Sequence, residues 1–158
     1  MKKFVTDIKW GVIFTIAGLL WAVLEKTLGW HDTLINKHAI YTNLFAIVAI
    51  LIFVFALIEK RNKDLGGKMT WPQGIVSGII ISVVVAILAP LSQYLTYEFI
   101  TPDYFKNAIN YTVKIGAMNQ SNAETYFSLK SYIIQAVFSA LGMGIFTTAI
   151  VAFFVKKK

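Results

Sequence analysis

The chain has no cysteine among its 158 residues. Disulfides and thiolate chemistry are therefore excluded. Other familiar signatures are missing as well. There is no G-x-x-x-x-G-K-[ST] phosphate loop and no H-E-x-x-H metal helix. No nucleophile-elbow serine is present. Charge is confined to 15% of the residues, and long stretches have almost none.

Those stretches carry the main signal. Hydrophobic residues make up 57% of the chain, against about 45–50% in soluble domains. They collect in four blocks, 10–28, 39–58, 74–97 and 132–155. A bilayer core about 30 Å thick needs roughly 20 helical residues. The blocks predict four membrane-spanning helices in a single membrane domain, an all-α fold, over 1–158. Glu25 and Lys26 interrupt the first block. A cleaved leader is the alternative there, but Asp7 lies in its lead and no small-x-small site follows it.

The net charge of +7 invites a nucleic-acid reading, but its distribution points to a membrane. Lys2, Lys3, Lys9, Lys60, Arg61, Lys63, Lys68, Lys156, Lys157 and Lys158 fall on one side of the four blocks. Lys26, Lys37, Lys106, Lys114 and Lys130 fall on the other. This asymmetry predicts both termini in the cytoplasm and no nucleic-acid partner. "LGGKMTWPQG" then sits in a short cytoplasmic loop. Gly66 and Gly67 supply a sharp turn, and Thr70 with Gln73 matches a capping box. Pro72 falls in the first helical turn, where its missing N–H does no harm.

Small residues mark where membrane helices approach closely. Gly74, Gly78, Ser82 and Ala86 recur every four positions in the third block. Ala136, Ala140, Gly144, Thr148 and Ala152 do so in the fourth, and Gly11, Thr15, Gly18 and Ala22 line the first. These grooves serve packing within one bundle, or a homo-oligomer or partner interface.

Polar residues inside spans are candidate sites by default. Glu25, Asn43, Gln93 and Gln135 fall near the outer ends of the four spans and form one candidate polar layer. One reading has the amides bonding between helices and Glu25 at a wet edge near a lysine. The other is a vestibule with Glu25 as a proton or cation site. His31, Asp32 and His38 lie in the loop above, expected to be a wet loop without a metal. No cofactor or catalytic group is predicted.

The outer loop, 98–131, begins "Thr101-Pro102-Asp103", a helix start. Phe105, Ala108, Ile109, Thr112 and Val113 then share one face and Lys106, Asn107, Asn110 and Lys114 another, an amphipathic helix ended at Gly116. It lies on the membrane surface, lids the bundle or meets a partner. Ser121 and Glu124 suggest a second capping box, with the helix running on into the fourth span.

The four-block layout, the "GGKMTW" leading into the third span and the "TPDYF" opening the outer loop resemble domain-of-unknown-function family number 4199. The resemblance implies a small bacterial inner-membrane protein, of a family found largely in Bacteroidota, with no established activity. It transfers no functional residue. Pro72 and the modest charge of the outer loop depart from the family pattern.

The resulting expectation is a non-enzymatic accessory or interaction subunit, with the lipid bilayer, other membrane proteins or further copies as partners. The alternative is a small transporter or channel using the polar layer around Glu25. A lipid- or envelope-acting enzyme is the third reading. It would have to draw on Glu25, Glu98, Asp103 and His31.

Overall fold

The computed structural model describes residues 4–157. Lys2, Lys3 and Lys158 of the basic count lie outside them. The described residues contain no strand and are overwhelmingly helical. In order they are α1 (Val5–Thr27), α2 (Ile35–Tyr41), α3 (Phe45–Glu59), α4 (Trp71–Leu95), α5 (Tyr104–Lys114), α6 (Gln120–Tyr126) and α7 (Leu129–Val155). A short 3₁₀ turn joins α2 to α3, and wider π-type turns extend α3 to Asp64 and α4 to Ile100. Four segments are long and apolar enough to cross a membrane: Val5–Thr27, Ile35–Asp64, Trp71–Ile100 and Leu129–Val155. At most 33% of any apolar stretch is buried, so Ile87, Phe138, Phe146 and Phe154 face outward as lipid-facing residues do. The observed spans start at or before the predicted ones. α1 in particular begins five residues before the expected Trp10 and takes Asp7 into the bundle.

The α4 and α7 grooves meet each other. A Cβ on Gly74 would fall 2.7 Å from that of Ala152. One on Gly78 would overlap the Thr148 side chain, and one on Gly144 would overlap the Ser82 hydroxyl. These pairs, 74 with 152, 78 with 148 and 82 with 144, keep a constant antiparallel register. Ser82 and Thr148 donate their hydroxyls to Gly78 O (2.8 Å) and Gly144 O (2.7 Å), so no polar atom is left bare at the seam. Gly11 brings α1 against α4 in the same way, with Val84 in the place of a side chain. Phe14 completes the α1–α3 contact through edge-on rings with Phe45 and Phe53.

The end bearing the termini is closed by polar bonds. Asp7 is fully buried and accepts from Lys60 Nζ at 2.8 Å and from the Ser77 hydroxyl. Lys60 also meets Asp64 at 3.0 Å. Glu59 accepts from Lys9 (2.6 Å), Trp10 Nε1 (2.7 Å) and Lys63 (2.9 Å). Gly66 and Gly67 take φ of 65° and 86°, and the Thr70–Gln73 capping box forms as the spacing predicts. Met69 and Lys157 then exchange both backbone hydrogen bonds, while Arg61 donates to Val155 O at 2.8 Å. The loop between α3 and α4 is thereby tied to the end of α7.

At the opposite end one expectation fails. α6 does not run into α7. Asn119, not Ser121, caps α6, and Glu124 accepts from the Gln120 side chain instead of closing a box. The helix stops at Phe127, and Ser128, an N-cap residue by type, starts α7 afresh. The break lets Phe127 turn in against Tyr126 and Tyr132.

Two outcomes are expected from this packing. Gly78→Ala lowers stability by about 1–3 kcal/mol through overpacking. Gly142→Ala, which has open space inside α7, leaves stability unchanged or raises it by up to about 1 kcal/mol. Reversible unfolding in mixed micelles reads both. Lys60→Met strands Asp7 without its cation and costs about 3–5 kcal/mol, whereas replacing both partners by apolar residues costs much less.

Candidate functional site

Glu25 is in the last turn of α1, His31 in the turn that follows, and His38 in α2. The left-handed Gly29 (φ 76°) folds the chain back, so that Leu34 N donates to Gly29 O and both histidines come to Glu25 at the end of α1. His31 Nε2 thereby lies 3.1 Å from Glu25 Oε2, and both residues are only 4% exposed. Trp21 Nε1 donates to the other carboxylate oxygen at 2.9 Å, one helical turn below. The His38 ring is edge-on to His31 at 5.0 Å. Among the described residues, the Nδ1 atoms of both histidines are buried without a hydrogen-bond partner.

α5 closes this group from above. The Tyr104 ring lies 5.0 Å from each imidazole, and Asn107 donates to His31 O at 3.1 Å. Tyr104 also shares a 3.1 Å hydroxyl contact with Tyr132 and packs with Tyr97 and Phe105. Burial pushes the Tyr104 phenol well above its ordinary range, and the neighbouring Tyr132 and Tyr97 phenols add to it. Tyr104 is therefore a neutral lid. Of the three placements open to the amphipathic helix, the structure shows the one across the bundle mouth. Its buried line is Tyr104, Ala108 and Thr112. That line is rotated from the face centred on Phe105 and Ile109, because Tyr104 is drawn to the histidines. Asn107, assigned to the solvent face, turns inward for the same reason.

The polar layer does not assemble as one site. Glu25 pairs with His31 rather than with a lysine at a wet edge, and His31 is not in a wet loop. Gln135 is exposed and donates to Ser131 on its own helix at 3.0 Å. Asn43 donates to Ala39 O at 2.7 Å. With Gln93 it borders a separate cavity of about 600 Å³ enclosed by α1, α3, α4 and α7. Phe53, Ser82 and Gly144 line it, and on α7 it reaches past them to Ile150 and Val151. Ile50 on α3 and Met143 and Phe146 on α7 line it and are exposed, so it opens sideways between those helices. Ala136 and Ala140 line it too. Its walls carry no ionisable side chain. Glu98 and Asp103, the other carboxylates considered for catalysis, are exposed and stand outside the histidine group.

Reading the sequence alone missed the histidine group. Its signal was an ionisable residue near the end of a span with two histidines in the next thirteen positions. The turn that folds them together depends on Gly29.

These features define a four-span helical membrane protein with a buried carboxylate–imidazole group at one end and a side-opening cavity. The chain belongs to the family described as "Protein of unknown function (DUF4199)", which it matches over residues 9–157. No curated protein and no solved structure matches it.

Tyr104→Ala is expected to uncover both histidines. Their modification by diethyl pyrocarbonate, followed by peptide mass spectrometry, should accelerate at least about tenfold relative to the wild type. Tyr104→Phe keeps the ring, loses the Tyr132 contact and should leave the rate within about twofold, as expected when packing dominates over one hydrogen bond.

Proposed function

We propose that this chain is an accessory or interaction protein of a bacterial inner membrane, working by binding a helix of another membrane protein rather than by a reaction of its own. The observation that carries this reading is the side-opening cavity, lined by the outer half of the α7 small-residue stripe. Gly144, Thr148 and Ala152 are used against α4. Ala136 and Ala140 continue the same line into the open cavity, facing Ala46 and Ala49 of α3. Small residues let a neighbouring backbone come close, and polar side chains bond across such contacts. Asn43, Ser92, Gln93 and Ser139 supply those groups along the walls. General acid–base catalysis needs a positioned ionisable group, and the cavity offers none. The basic residues gathered at the end bearing the termini support an orientation with that end in the cytoplasm.

The transport reading has less beneath it. Glu25 does not itself line the cavity, although its hydrogen-bond partner Thr42 does. The Ser82 and Thr148 hydroxyls between the two ends of the bundle are spent on their own helix backbones.

The test is site-specific photo-crosslinking in native membranes from Ala49 and Ala140, followed by mass spectrometry. A single heterologous membrane protein captured at both positions supports the reading. Ala140→Leu, which fills the opening, should reduce that capture at least about fivefold while leaving expression unchanged, since one apolar addition in a contact is worth about 1–3 kcal/mol. Capture of lipid alone, or of a second copy alone, would overturn the partner-protein reading.

A further inference from the structure

Glu25, His31 and His38 each offer one metal-ligating atom, and the three atoms lie within 4.8 Å of one another. Ligands on a four-coordinate zinc at about 2.0–2.2 Å stand roughly 3.4 Å apart. Side-chain rotation is enough to close that difference. The alternative is an ordinary hydrogen-bonded pair. It accounts for the 3.1 Å contact between His31 and Glu25 and for the further hydrogen bonds of Glu25 with Trp21 and Thr42. It leaves Nδ1 of both imidazoles buried with no hydrogen-bond partner among the described residues, where buried polar atoms are otherwise satisfied. It also leaves unexplained why a second imidazole is packed against the first. His31 is more than nine-tenths buried, so its bare nitrogen has no solvent to turn to.

The surroundings are those of a held ligand set. Trp21 fixes one oxygen of Glu25 at 2.9 Å and turns the other toward His31. Asn107 anchors the His31 backbone, and the Tyr104 ring covers both imidazoles. Such outer partners orient ligands and tune affinity. The donor chemistry selects the ion. Calcium and magnesium take mostly oxygen ligands in numbers this group cannot supply. Two imidazoles and a carboxylate suit zinc and its first-row neighbours, with a fourth position left for water or another small ligand.

We propose that Glu25, His31 and His38 bind one divalent transition-metal ion of the zinc type beneath the α5 lid, tying the end of α1 to α2. This is independent of any partner in the side-opening cavity, and its test involves no partner.

The full chain, purified in micelles without a polyhistidine tag and stripped by chelator, is titrated with ZnCl₂ by calorimetry and with CoCl₂ by visible absorption. The expected result is about one ion per chain, a four-coordinate cobalt spectrum and a Tm that rises with free ion, as linkage requires. His38→Ala, at the half-buried edge of the group, should fold and bind zinc at least about tenfold more weakly. Trp21→Phe should lose about tenfold, as outer partners do, and Lys106→Ala should lose nothing. If Glu25→Gln does not fold, the wild-type titration and His38→Ala decide the matter. Folded wild-type protein that takes up no zinc or cobalt would sink the proposal. So would binding that His38→Ala leaves unchanged.

Discussion

In a lipid environment, two helices gain nothing from hiding leucine, because the solvent is as apolar as the side chain. They gain by bringing backbones close, and only small residues allow that. The α4–α7 seam of Gly74, Gly78 and Ser82 on Ala152, Thr148 and Gly144 is where this chain does so. The other helices take their places from it. α1 leans on α4 through Gly11, and α3 reaches the floor of the seam through Phe53. Beside this seam, along Ser82 and Gly144, the bundle opens into the cavity.

The two ends are closed by opposite chemistry. Near the termini, charges of both signs are paired around Asp7, Lys60 and Glu59, with Ser77 and Trp10 donating to the carboxylates. A buried pair of this kind adds little net stability, yet loss of one member is severe. At the other end a single buried carboxylate faces two imidazoles under a layer of phenols. The first arrangement is electrically complete within the chain. The second has donor atoms to spare.

Local chemistry was the most legible part of the sequence. The Gly66-Gly67 turn, the Thr70–Gln73 box, the stop at Gly116 and the meeting of the α4 and α7 stripes all follow from neighbouring residues or a four-residue period. What depended on folding back was harder to see. Glu25, His31 and His38 come together only because Gly29 reverses the chain after α1, and the period of a helix does not extend across a turn. The break at Phe127–Ser128 had a visible capping serine. Helix-compatible residues on both sides concealed it, and Tyr132, one of the two rings that Phe127 meets, lies in α7. The expected polar layer failed for a related reason. Depth along a span places Asn43, Gln93 and Gln135 at similar heights, but rotation about each helix axis decides what they face.

The register of the seam also bears on how the chain assembles. α4 leaves the ribosome before α5, α6 and α7, and N-terminal segments reach the membrane first. Until α7 follows, the groove of Gly74, Gly78 and Ser82 has only lipid tails to meet. The first three spans therefore wait in the bilayer with their best contact surface vacant, and any other membrane helix with a matching row of small residues competes for it during that interval.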